Sequence, residues 1–170
     1  MTSMEKFVYG LHSSLLVGIA SIFIVLQIIL AILLFNREGS TLLANCGWVV
    51  LWIAGFFGVI PILTFRMRGG VEKGKSYIHT TTLVDTGIYA VVRHPQNGVA
   101  WVLINFGIAL VAQHWLVALA GGISMVFAYL DLFKEEQRCI EKFGDDYKRY
   151  MQKVPRINFL LGLIRAIQKK

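Results

Sequence analysis

Charge is what this chain has least of. Only 16% of its 170 residues are charged, while 56% are hydrophobic; a soluble domain is about half apolar and about a quarter charged. The scarcity is concentrated. No charged residue lies between Leu11 and Phe35, and none between Thr41 and Phe65. Each run exceeds the ~20 residues that cross a bilayer core. One such run fits a buried helix of a soluble core; two within the first 65 residues argue for a membrane protein.

Other absences narrow the chemistry. The two cysteines exclude a disulfide framework. Cys46 opens the second apolar run and Cys139 lies in the polar tail, so they are expected on opposite membrane faces as free thiols. The four histidines (12, 79, 94, 114) lack metal-ligand spacing, and no metal is expected. There is no G-x-G-x-x-G and no P-loop. No G-x-S-x-G is present, nor a Ser-His-Asp or Cys-His nucleophile set. The first apolar run is too long for a signal-peptide core and is followed by no small-residue cleavage site, so a retained transmembrane helix is expected. Internal repeats and low-complexity tracts are absent, and the length fits one domain, residues 1–170.

Four apolar segments stand out, at about 11–35, 41–65, 98–112 and 115–133. They predict an all-α membrane protein, a multi-span helical bundle of four spans. A fifth crossing is left open, through a break near Gly10 or Gly18 or insertion of Phe159–Ile167. The latter reads better as an amphipathic interfacial segment with Arg165, Lys169 and Lys170 at the headgroups. Gln113-His114-Trp115 reads as the turn of a tight hairpin at a membrane interface. Gly98, Gly107, Gly121 and Gly122 would permit close helix contact. Asn105 should face protein, through an interhelical hydrogen bond.

Charge sets the expected orientation. The stretch 66–75 carries four basic residues and one acid, and 131–170 carries ten basic residues and six acids. The turns at 36–40 and 113–114 carry no net formal charge. The positive-inside rule puts the 66–97 segment and the tail in the cytoplasm. The net charge of +7 is then explained by orientation and anionic headgroups. No nucleic-acid motif or stacking pattern accompanies it, so no nucleic-acid partner is expected.

What remains is a cluster of polar groups at one membrane face. Tyr89, Arg93, His94 and Pro95 sit at the mouth of the third apolar segment, and Glu135-Glu136 follows the fourth. Pro95 fits the first turn of a helix, with His94 near its N-cap, where unpaired N–H groups favour anions. Asp131, Glu135 and Arg138 share one helix face. Glu135 and Glu136 point about 100° apart and cannot both face one ligand atom. Gly144 suggests a helix end, and Asp146–Tyr150 a short helix before Pro155. Such a cluster suits a ligand both polar and cationic. Without a motif, snorkelling of Arg93 and His94 to headgroups and pairing of Glu135 with Arg138 would explain it as well.

The order of the residues supplies a motif. Thr82-Leu83-Val84-Asp85-Thr86-Gly87-Ile88-Tyr89-Ala90-Val91-Val92-Arg93-His94-Pro95 resembles the T-L-V-x-x-G-x-Y-x-x-x-R-H-P signature of isoprenylcysteine carboxyl methyltransferases. Glu135-Glu136, then Phe143-Gly144-Asp145-Asp146-Tyr147-Lys148-Arg149-Tyr150 and Val154-Pro155-Arg156, is similar to that family's E-E…F-G-x-x-Y-x-x-Y…V-P-R ending. Phospholipid methyltransferases share the R-H-P and E-E pieces. The resemblance spans about 80–156. It implies an integral-membrane transferase that uses S-adenosyl-L-methionine to methylate the C-terminal carboxylate of a prenylated cysteine. It divides the chain into N-terminal spans (1–75), a cofactor-binding catalytic region (76–156) and an interfacial tail (157–170). The cofactor site would be formed by loop 76–97 and the C-terminal helices, from Thr81, Leu83, Val84, Tyr89, His94, Pro95 and Glu135, with Arg93 and Glu136 close by. Asn97 stands where the family usually has tyrosine. Asp131-Leu132-Phe133-Lys134 stands where eukaryotic members place an arginine for the substrate carboxylate, leaving Arg93 or Lys134 to orient it.

A carboxylate, with pKa near ~4, is already the nucleophile at pH 7 and needs no general base. Methyl transfer to it requires in-line positioning and partial desolvation. The expected protein is therefore an enzyme of the cell membrane, with its active site on the cytoplasmic face and lipid or a prenyl-cysteine as partner. Two alternatives stay open: a phospholipid or amphiphile N-methyltransferase, in which His94 or Glu136 would serve as base, and a non-catalytic membrane scaffold or transporter.

Overall fold

The computed structural model describes residues 12–70 and 81–168. Expectations for Ser76, His79 and Thr80, the basic loop from Val71 to Lys75, and Lys169 and Lys170 fall outside those residues. The described chain is helical. Four helices are long and apolar enough to cross a membrane: α1 (Ser13–Leu33), α2 (Thr41–Arg68), a third (Pro95–Ala112) whose regular α-helical part is α3 (Trp101–Ala112), and α4 (Trp115–Phe143). Two shorter helices follow, α5 (Asp145–Lys153) and α6 (Phe159–Gln168). At about 1.5 Å per residue α6 spans only ~15 Å, too short for a fifth crossing.

The bundle buries many small and polar residues beside a few large apolar ones (Leu16, Phe57, Leu132), while most of its large apolar residues lie outside. Ala20 and Gln27 of α1, Gly47 and Ala54 of α2, Asn105 and Gly107 of α3, and Ala120, Gly121 and Ser124 of α4 are buried. Trp52 is 81% exposed, Ile32 74% and Leu33 71%. This inversion suits helices surrounded by lipid, where close backbone approach and interhelical hydrogen bonds hold the bundle. α1 packs on α4 and α3, and α2 packs on α3. A Cβ at Gly107 would lie 2.8 Å from Leu51 Cγ and 3.1 Å from the Gly47 carbonyl oxygen. One at Gly121 would lie 2.3 Å from Gln27 Nε2. These two glycines thus serve contacts with α2 and α1 rather than the α3–α4 hairpin itself. Gly122 faces open space and has no such role.

Polar contacts cross between the helices. Gln27 Nε2 donates to the Asn105 carbonyl at 2.8 Å, and Ser124 Oγ donates to the Ala20 carbonyl at 2.9 Å while accepting from Trp101 Nε1 at 3.1 Å. Asn105 is buried as expected, but its side-chain amide turns back along its own helix to the Trp101 carbonyl, 2.8 Å away. The interhelical bond comes from the longer Gln27.

Both tight turns lie at one end of the bundle. Gln113 caps α3 in the left-handed region, φ +50°. Its side chain accepts from Ser40 N and donates to Ser40 O, both at 2.8 Å, joining the α3–α4 turn to the start of α2. At the other end α4 continues past its apolar part. Its 29 residues extend about 43 Å, more than the ~30 Å hydrocarbon layer, and the surplus carries Lys134 to Phe143.

Candidate functional site

The segment from Thr81 to His94 lies over the end of α2. Thr81 N donates to the Gly69 carbonyl at 3.0 Å, and the Tyr89 ring packs 4.8 Å from that of Phe65. The chain enters the third span through a wide turn. The His94 carbonyl accepts from both Gly98 N and Val99 N at 3.0 Å, the latter an i to i+5 bond. π-Helical turns of this kind are rare and concentrate at functional sites. Pro95 begins the turn, where its missing N–H leaves no bond unmade.

The two ends of the motif pair through their backbones. Arg93 N donates to the Pro155 carbonyl at 3.0 Å, and His94 N to the Arg156 carbonyl at 3.1 Å. A Cβ at Gly98 would meet Ile157 Cγ2 at 2.5 Å, so glycine is required where residues after Arg156 cross the turn. α5 adds Tyr150, whose buried hydroxyl donates to the Tyr89 carbonyl at 2.7 Å. Burial pushes the Tyr147 and Tyr150 hydroxyls well above the ordinary tyrosine range, so both remain neutral donors.

His94 is the centre of the cluster and is 4% exposed. Its Nδ1 lies 3.5 Å from Glu135 Oε2 and its Nε2 3.3 Å from Glu136 Oε1. The adjacent glutamates point apart, and the ring bridges them with its two nitrogens. Burial alone would lower the imidazole pKa, but hydrogen bonds and charge from Glu135 and Glu136 outweigh it and hold the group above the ordinary histidine value.

Glu136 is fully engaged. Arg156 grips it in bidentate fashion, Nε to Oε1 at 3.0 Å and Nη2 to Oε2 at 2.6 Å. The guanidinium of Arg156 stacks 4.0 Å over Phe133 and donates to the Tyr129 hydroxyl at 3.2 Å. Arg93 Nη1 lies 2.6 Å from Glu136 Oε1 but out of line for a hydrogen bond, and Arg93 Nε has no acceptor among the described residues. Glu135 differs from its neighbour. Its side chain is 30% exposed, and Asn97 Nδ2 donates to its Oε2 at 3.1 Å.

Beside this network is a cavity of about 580 Å³, within the range of small-molecule sites. Leu83, Val84, Tyr89, Arg93, His94, Pro95 and Glu135, all expected from the sequence, line it. Three other expected residues do not. Thr81 borders a neighbouring open hollow, and its hydroxyl donates to the Gly70 carbonyl at 3.1 Å. Glu136 sits behind the wall because its carboxylate is taken up by Arg93, His94 and Arg156. Lys134 is absent from the lining because it precedes Glu135 by about 100° of helix turn. Asp131 also stays outside the lining, accepting a hydrogen bond from the Ser13 hydroxyl.

The structure adds residues that the sequence did not assign to the site. Arg156 holds Glu136, Asn97 holds Glu135, and Arg138, Cys139, Lys142, Tyr147 and Tyr150 complete the wall. The V-P-R and F-G-x-x-Y-x-x-Y pieces contained the signal for Arg156 and the two tyrosines. The lining joins one carboxylate (Glu135), the His94 imidazole, three basic side chains (Arg93, Arg138, Lys142) and several aromatic and aliphatic faces. That donor set fits a ligand with a cationic amine, a carboxylate and a flat apolar part, as S-adenosylmethionine has. Compared with protein-family models, curated proteins and solved structures, the chain matches none.

Proposed function

We propose that this protein is an S-adenosyl-L-methionine-dependent methyltransferase that acts on a lipidic carboxylate, such as that of a prenylated cysteine, at the cytoplasmic face of the cell membrane. One observation carries the reading: Arg93, His94, Pro95 and Glu135 line one cavity at the charged end of an apolar four-helix bundle, with Glu136 anchoring Arg93 and His94 from behind the wall. The positive-inside rule places that end, with Arg66, Arg68 and the basic tail, in the cytoplasm.

Bound S-adenosylmethionine supplies an electrophilic methyl group. Glu135, oriented by Asn97 and His94, would hold the cofactor's amine. Leu83, Val84 and the aromatic rings receive its apolar part. Arg93, which lines the cavity, would orient a carboxylate there. The lipid tail of the substrate stays in the bilayer. Of the two bases an amine acceptor would call on, His94 lies between the carboxylates of Glu135 and Glu136, and Glu136 is engaged by Arg93 and Arg156. This supports a carboxylate acceptor, already nucleophilic at neutral pH, over an amine, which must first lose a proton.

The test is methyl transfer in nanodiscs, with a farnesylcysteine analogue compared with phosphatidylethanolamine. A base-labile methyl ester on the first is expected. N-methylation of the second instead would favour the amine reading, and absence of measurable cofactor binding would sink both and leave a scaffold or transporter. Glu135→Ala and His94→Ala should each abolish cofactor binding while the protein still inserts.

A further inference from the structure

α6 is the apolar element that the bundle does not cover. Its protein side is a stripe of Phe159, Gly162 and Ala166. The rest of its surface presents Leu160, Leu161, Leu163, Ile164 and Ile167, which are 37–64% exposed, with Arg165 and Gln168 exposed in the last turn, where long polar side chains reach toward headgroups. Five aliphatic side chains on ten residues do not suit water. They suit lipid, and the position of the helix specifies where. The ring of Phe159 packs 5.4 Å from that of Phe57, eleven residues before the end of membrane-length α2. The first turn of α6 therefore packs on a buried residue of α2 well inside the end of that helix. Its opening is capped within the protein: the Asn158 side chain accepts from Leu161 N at 3.0 Å.

The same helix touches the site from behind. Gly162 lies against the backbone of Val91; a Cβ there would fall 1.7 Å from the Val91 carbonyl oxygen and 3.2 Å from Pro155 Cγ. Val91 lies two residues before Arg93, and Pro155 is itself the acceptor from Arg93 in the two hydrogen bonds that pair Arg93-His94 with Pro155-Arg156. α6 thus braces the pairing that orients His94 on one strand and Arg156 on the other.

We infer that α6 is seated in the bilayer beside α2 and that this lipid seat holds the 93–94 and 155–156 segments in register, so that the candidate site is organised by the membrane around it. The ligand part of this inference rests on the proposed function; the structural part does not.

Two readouts separate them. Benzoylphenylalanine at Ile164 in nanodiscs should photo-crosslink to acyl chains; labelling confined to headgroups, or none, overturns the seat. In Ile164→Asp/Ile167→Asp, hydrogen exchange at the His94 amide, read without ligand, should accelerate at least tenfold while exchange in α1 and α4 is unchanged. Unchanged exchange at His94 overturns the coupling whatever the protein binds. S-adenosylmethionine affinity should fall with the same variant; should the wild type bind none while His94 exchange responds, the inference stands and the cofactor reading fails. Gly162→Leu, which displaces α6 from the protein side, should reproduce the exchange change.

Discussion

The two ends of the bundle are closed by different physics. At the turn end one neutral side chain, Gln113, makes two hydrogen bonds to the backbone of Ser40, and no buried charge is involved. At the other end Arg93, His94, Glu136 and part of Arg156 are removed from water together. Burying paired charges gains little stability over apolar packing of the same shape, whereas breaking such a set is costly. A fold that needed only closure is served by the first arrangement. The second arrangement sets Glu135 and Arg93 in the wall of a cavity, which is what the proposed ligand site requires.

That contrast can be broken most sharply at Glu136. Glu136→Ala leaves the guanidinium groups of Arg93 and Arg156 without their carboxylate, His94 keeping Glu135, and should cost about 3–5 kcal/mol. Unfolding in detergent, followed at the site end by hydrogen exchange, checks this; wild-type stability would mean that the network is ornamental. Raising the pH should act more gently. His94 has a raised pKa in the folded state, so its stabilising contribution is fully present below the ordinary histidine value and is lost as pH rises through the folded value. Melting of the wild type should fall on the alkaline side, with a flatter profile in His94→Gln; parallel profiles would contradict the proposed clamp. The smallest effect belongs to the turn end. Gln113→Gly keeps the left-handed turn and deletes two exposed hydrogen bonds, for about 1 kcal/mol or less, with cofactor affinity unchanged. A large loss there would show that the two ends are coupled.

The apolar half of the molecule is legible in the sequence because bilayer thickness leaves little choice: charge-free runs of this length become spans, and the expected boundaries fall within a few residues of α1 and α2. The cavity wall is legible to the extent that it is local, as with Tyr89, His94 and Pro95. What could not be read depends on meetings between distant segments. Arg156 becomes part of the site only because residues 155–156 pair with 93–94, and no spacing announces a contact across some sixty positions. Glu136 is the reverse case. Its chemistry marks it for the cavity, yet the cations that meet it on folding place it behind the wall. Gly162 is equally silent in the sequence, since its need arises only from the carbonyl of Val91.

The wide turn at Pro95–Ala100 has a consequence for how such a site changes. A π-turn amounts to one residue inserted into an α-helix. Deleting that residue would restore regular winding without disturbing α3, and would swing the preceding side chains about 100° round the axis. Asn97 would leave Glu135, and His94 would be drawn from between the glutamates. A single codon lost at this point would therefore keep the membrane bundle and retire the site, so the turn separates the inheritance of the fold from the inheritance of what it binds.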